Sequence, residues 1–300
     1  MRLGRLAVAL CGLAGPAQAA SEPSLQAILD HAPAADWRRI DPARSLYLTV
    51  DGGPVVIELA PDFAPRAVAN ILRLARSGYF DTAAVVRVQD NYVVQWADPA
   101  AEDPHPSKDE HPRPLGDAAV TLPMEVDRPA SGLEITDLPD ADPYASRVGL
   151  SDGFPIAGTA GRVGLAHCYG MVGVGRDTAP DSGNGSELYA VIGQSPRALD
   201  GNVTLVGRVV WGMERLSSLK RGTGPLGFYT DRSMDVPVGP VRIGSDVPVA
   251  ARLDLRALRT DSASYRAVLA YERGPRSAWF VHMPGHVGLC EMPLPVRKAS

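Results

Sequence analysis

Between residues 46 and 98 the apolar positions recur first with a period of two, then at helical spacing, then with a period of two again. Alternation over 46–50 and 55–59 predicts two strands joined by the turn Asp51-Gly52-Gly53. Pro65 suits a first helical turn, Val68, Ile71, Leu72 and Ala75 recur on one side, and Gly78 supplies the stop, so one helix is expected there. A second strand pair follows in AVVRVQDNYVVQWADP, residues 84–99. A period of two puts Val86 and Val88 on one face and Val85, Arg87 and Gln89 on the other. After the turn at 89–91, Val93 and Gln95 share a face and Tyr92 stands where the strand begins. A guanidinium and an amide are thus expected to face outward from neighbouring strands.

Elsewhere the pattern is more broken. Ser24 caps a short predicted helix carrying Leu25, Ile28 and Leu29, and a proline-interrupted arm to Ser45 should pack on the domain that follows. Residues 163–166, 188–192 and 205–210 read as strands, 213–219 as a short helix and 241–243 as a last strand. The fourth region, 249–300, offers a helix capped near Thr260 and Asp261 that runs through Tyr265, Val268 and Leu269, then an apolar segment at 278–281. GMVGVG at 170–175 has the glycines of a phosphate loop, but Pro180 and Asp181 follow where its helix would have to start, which excludes nucleotide binding.

Composition changes the picture in three places. With 27 prolines, 30 glycines and 6% aromatics in 300 residues, short strands and many turns are favoured over long helices. The net charge of -4 carries no footprint for nucleic acid. Residues 99–160 hold 10 of the prolines and 12 acidic against 4 basic residues, and read as a long acidic surface excursion inserted into the domain. His105 and His111 within it match no ligand template, so no metal is assigned.

The first residues have the form of an export leader. Arg2 and Arg5 precede an apolar run, and Ala17-Gln18-Ala19 is a small-x-small cleavage site before Ala20. A signal peptide over 1–19 and a periplasmic or secreted mature chain are expected, with no membrane span because no stretch has ~20 apolar residues. Cys11 lies in that leader. Cys168 and Cys290 would then meet an oxidising compartment, where a bond between them is permitted, although two buried thiols are the simpler reading of a single distant pair.

The order strand, turn, strand, helix, then VVRVQDNYVVQWADP, resembles the cyclophilin family of peptidyl-prolyl isomerases. SGNGSELYAVIG (182–193) is similar to that family's Asn-Gly-Ser-Gln-Phe-Phe-Ile strand, and ALDGNVTLVGRVVWGME (198–214) to its Leu-Asp-Gly segment. The resemblance implies a mainly β fold: a closed eight-stranded antiparallel barrel capped by two helices. It would span 46–248, interrupted by the insertion at 99–160, preceded by the arm at 20–45 and followed by the extension at 249–300. It also implies that Arg87 is catalytic, and that Tyr92, Gln95, His167, Glu187, Tyr189 and Leu199 bind substrate. His167 and Cys168 stand where the family has Met-Ala beside its groove. Val86, Trp96-Ala97, Ala198 and Val203 depart from the family pattern.

The implied partners are proline-containing polypeptides. Isomerisation makes and breaks no covalent bond, so no cofactor is expected. The implied function is prolyl isomerisation during folding of exported proteins; the alternative is an inactive module that binds proline-containing segments in the same groove.

Overall fold

The computed structural model describes residues 24–102, 111–194, 196–274 and 279–299. The expected leader, with Cys11 and the cleavage site at Ala20, and His105 lie outside the described residues. The largest sheet has nine strands. In spatial order they are Val236–Pro237, Ala84–Val88, Val93–Ala97, Leu188–Val191, Met171–Val174, Leu205–Trp211, Gly53–Leu59, Ser45–Val50 and Arg242–Ile243. All its pairings are antiparallel.

The expected closed barrel of eight strands is not what forms: this sheet curls into a half-barrel whose ladder stops at two short edge strands. Those edges belong to one stretch of chain, 236–243, and the cause of the break lies in its composition. Pro237 and Pro240 have no N–H to offer a ladder. Among the described residues Val238 bridges the seam by backbone bonds, donating to the Ala83 carbonyl at 3.0 Å and accepting from the Thr49 N–H at 3.3 Å.

The helix at Pro65–Arg76 begins and stops where the spacing predicts, with Gly78 in the left-handed region at φ 75°. Ala67, Val68, Ile71 and Leu74 enter the main core beside Leu46, Ile57, Val85, Val94 and Trp96. Its first turn is capped from outside, because the Glu125 carboxylate accepts from the N–H groups of Arg66 and Ala67 at 3.0 and 2.9 Å. Five α-helices occur among the described residues, rather than two end caps.

The acidic segment is not a structureless excursion. Arg128–Pro129, Thr136–Asp137, Arg147–Ser151 and Phe154–Gly158 join Arg162–Leu165 in a second, five-stranded sheet. Val148, Leu150, Phe154, Ile156 and Val163 fill a second core with Tyr265 and Val268 of the helix Ala263–Arg273. The short strands escaped notice because prolines and aspartates break the alternation between them. The strand expected at 163–166 exists, but in this sheet.

The arm and the extension meet each other. Trp37–Arg39 and Val296–Lys298 flank Leu255–Leu258 in a three-stranded sheet. Arg38 bonds the buried Glu58 of the large sheet at 2.5 Å, which ties the arm to the main body. Cys168 and Cys290 are joined in a disulfide with Cα atoms 4.9 Å apart, linking the extension to the second core. Of the apolar segment expected at 278–281, Ala278 lies outside the described residues, and Trp279 and Val281 are exposed.

Candidate active site

Four neighbouring strands place one residue each on a single rung of the large sheet. Arg87 pairs with Gln95, Gln95 with Tyr189, and Tyr189 with Gly173. Side chains on one rung share a face. Here it is the face away from the main core, since the alternate positions Val94, Leu188, Ala190, Val172 and Val174 belong to that core.

Arg87 reaches this face through a β-bulge. Register shifts between Val85 and Arg87, so Val86 is an extra residue, and Val85 and Val88 both enter the core. Strict alternation had put Val85 on the face of Arg87; the bulge re-phases the strand and re-aims the arginine.

Gly173 and Gly175 explain the GMVGVG run. A Cβ on Gly173 would fall on the Tyr189 ring, and one on Gly175 on the Glu187 carboxyl group. These glycines make room for cross-strand side chains on a strand that the sequence pattern did not reveal.

The guanidinium of Arg87 is held on its edges. Its Nε donates to the Leu226 carbonyl at 2.7 Å, Nη1 to Gln95 Oε1 at 2.8 Å, and Nη2 to Gln89 Oε1. The rings of Tyr92 and Phe228 lie 5.7 and 5.3 Å from its central carbon, within cation–π range. Leu226 supplies its carbonyl from a left-handed conformation, φ 56°, in the turn that also carries Phe228. The Gln95 amide donates to Glu187. Because a guanidinium only donates and a carboxylate only accepts, these two neighbours settle which way the Gln95 amide points.

Over this rung opens a cleft of about 480 Å³. Arg87, Tyr92, Gln95, Glu187, Tyr189 and Leu199, all anticipated from the sequence, line it together. His167 does not. Its side chain is fully buried behind Tyr189, with Nε2 2.9 Å from the Tyr189 hydroxyl, so it cannot touch a peptide in the cleft. Val174 and Gly175 line the cleft, and Cys168, like His167, does not.

Val203, one of the departures from the family pattern, also lines it with Val93, and Arg176, Asp177, Leu226 and Phe228, which were not anticipated, complete the lining. Leu226 and Phe228 lie in a glycine-proline turn that meets Arg87 through tertiary contacts: the Leu226 carbonyl, the Phe228 ring and a β-bridge between Arg87 and Phe228. No local periodicity could have shown it.

Two titrating groups, one lining the cleft and one behind it, are displaced from their usual range. Burial pushes the Tyr189 phenol up, with smaller contributions from Tyr92 and Asp200. Burial alone would raise Asp200, but hydrogen bonds from His167 and Arg197 outweigh it and hold that carboxyl below the ordinary aspartate value of 3.8.

The half-barrel, the arginine–glutamine rung and the aromatic cleft define a prolyl-isomerase type of protein. Residues 45–245 match the family model described as cyclophilin type peptidyl-prolyl cis-trans isomerase, and the chain belongs to that family. Among curated relatives, a "Probable peptidyl-prolyl cis-trans isomerase" of Brucella suis is 27% identical over 184 residues, 61% of this chain and 74% of that protein. Peptidyl-prolyl cis-trans isomerase B of Bacillus subtilis is 26% identical over 176 residues, 59% of this chain and 90% of that one. Among solved structures, the cyclophilin AquaCyp293 from Hirschia baltica superposes with a TM-score of 0.66 at 22% identity, covering 88% of this chain and 94% of that one. That likeness speaks to the fold, and it reaches well past the 45–245 segment.

Proposed function

We propose that the protein accelerates cis/trans isomerisation of X-Pro bonds in exported polypeptides, with Arg87 stabilising the twisted amide. Rotating the bond must break amide resonance, a barrier of ~18–20 kcal/mol. A catalyst needs only to bind the twisted state better than either planar one. As the prolyl nitrogen loses conjugation its lone pair localises, and an N–H donor aimed there gains strength. Arg87 already has its plane fixed by Leu226, Gln95 and Gln89, so it meets the peptide with little reorganisation. Tyr92, Tyr189, Leu199 and Phe228 offer the prolyl ring an apolar seat. Gln95, its amide oriented by Arg87 and Glu187, holds the peptide backbone so that one side of the bond turns.

The single observation that carries this reading is the rung Arg87–Gln95–Tyr189 beneath an aromatic-walled cleft. Export is supported by the leader-like first 19 residues and by the Cys168–Cys290 disulfide, a bond at home in an oxidising compartment. The organisation that goes with it is a removed leader, the arm at 20–45, an isomerase body over 46–248 bearing the 99–160 insertion, and the extension from 249.

The test is a protease-coupled assay on a proline tetrapeptide. Arg87→Ala should lower kcat/KM by ~10² to 10³-fold, the loss typical of one oriented donor, and Arg87→Lys should restore little because an ammonium lacks the planar fork. A folded Arg87→Ala protein as active as wild type would refute the role of Arg87. Peptide binding without turnover in the wild type would instead identify a non-catalytic proline-binding module.

A further inference from the structure

Behind the cleft runs a buried polar chain that the catalytic reading does not use. The Tyr189 hydroxyl meets His167 Nε2 at 2.9 Å, and His167 Nδ1 meets Asp200 Oδ1 at 2.9 Å. Asp200 also accepts the backbone N–H of His167 at 2.8 Å, and its second oxygen accepts from Arg197 Nε. Arg197 then grips Asp142 through both terminal nitrogens, at 2.9 and 3.1 Å. Asp142 belongs to the 99–160 insertion, where it also accepts the N–H groups of Tyr144 and Ala145, and the Tyr144 ring lies 5.1 Å from the Arg197 guanidinium. The chain thus starts at the floor of the cleft and ends in a separate sheet's loop.

With the His167 ring neutral, the donor and acceptor types along it leave one arrangement. The Asp200 carboxylate only accepts, so His167 Nδ1 carries a proton. In the neutral ring Nε2 is then an acceptor, and the Tyr189 hydroxyl must donate to it. The hydroxyl is thereby turned away from the cleft, and the ring presents its apolar face to the floor. A buried phenol without such a partner would cost about 1–3 kcal/mol and would be free to turn toward the cleft. Most of the chain is enclosed: His167 is 0% exposed, the side chains of Arg197 and Asp142 are each 6% exposed, and that of Asp200 is 18% exposed.

We propose that His167 is a positioning residue, held by Asp200 and Arg197, that keeps the Tyr189 hydroxyl out of the proline pocket and couples that pocket to the insertion through Asp142. This rests on the proline-binding reading of the cleft, though not on turnover. Asp142 touches no substrate, yet loosening its bidentate grip on Arg197 should be felt at Tyr189.

Two measurements on the full chain test it. In wild type labelled with 15N-histidine near neutral pH, His167 should show a protonated Nδ1 and an unprotonated, hydrogen-bonded Nε2; the opposite tautomer, or a ring protonated at both nitrogens, would overturn the assignment. Asp142→Asn should then weaken proline-tetrapeptide binding by about 5-fold or more, read as KM or as Kd by titration, with kcat little changed. In a Tyr189→Phe background, which has no hydroxyl to hold, the same substitution should change affinity far less. An equal effect of Asp142→Asn in both backgrounds, or none in the wild-type background, would overturn the coupling. If the wild type binds proline peptides without turning them over, the isomerase reading fails while both readouts still decide this one.

Discussion

Gly173→Ala adds one methyl group directly opposite Tyr189. That Cβ would stand 2.9 Å from Tyr189 Cε1, and closer still to Cζ and the hydroxyl. Carbon atoms are comfortable at ~3.5–4.0 Å, so the ring must retreat by roughly 1 Å or swing about its χ1 bond. It cannot retreat backward, because Tyr189 is 6% exposed and His167 fills the space behind its hydroxyl. The way left is into the cleft.

Two consequences can be weighed. Overpacking of this kind costs about 1–3 kcal/mol, which for a chain of this size lowers Tm by ~2–12 °C. A ring pushed into the cleft also occupies the seat proposed for proline. Losing burial of the prolyl ring's three methylenes at ~0.8 kcal/mol each is ~2.4 kcal/mol, or ~50-fold in KM. The assay is a KM measurement on a proline tetrapeptide beside a thermal melt, with Gly161→Ala as control. A Cβ on Gly161 meets nothing within 4 Å, so its stability should stay within ~0.5 kcal/mol of wild type. Wild-type KM and Tm in Gly173→Ala would refute both the crowding argument and the position assigned to Tyr189.

Breaking the Cys168–Cys290 bond, by reductant or Cys290→Ser, opens a link spanning 122 residues and should cost about 2–5 kcal/mol; equal melts with and without reductant would count against it. Asn70 is fully buried and bonds Ala119 at both its N–H and carbonyl and Asn184 at its carbonyl, so Asn70→Ala should cost at least ~2 kcal/mol and speed hydrogen exchange at Ala119; unchanged exchange there would refute its clamp role. The lowered Asp200 carboxyl contributes stability that is complete above its unfolded value near 3.8 and is lost as pH falls through the lower folded value. The stability gap between wild type and Asp200→Asn, from denaturant titrations, should therefore shrink from pH 6 to pH 2, and a gap independent of pH would show that the charge is not what matters.

Local pattern determined the elements that rest on contacts close in sequence. Alternation at 46–59 and 84–97 and the helical spacing from Pro65 were enough to place two strand pairs and a helix within a residue or two, because each buries one face and sequence writes that face directly. The motif around Arg87, Tyr92 and Gln95, with Glu187, Tyr189 and Leu199, likewise marked six residues that do line one cleft. What pattern missed has a common cause. The bulge at Val86, the Arg87 contact with the Leu226–Phe228 turn, the seam at Val238 and the pairing of Trp37–Arg39 with Leu255–Leu258 each depend on a partner elsewhere in the fold. His167 shows the limit most clearly. Its place in the motif put it beside the cleft, and only the stacking of Tyr189 in front of it, with Asp200 drawn in from 33 residues away, decided that it would lie behind the wall. Periodicity says which face a side chain takes; which layer of that face it occupies depends on what other strands lay over it.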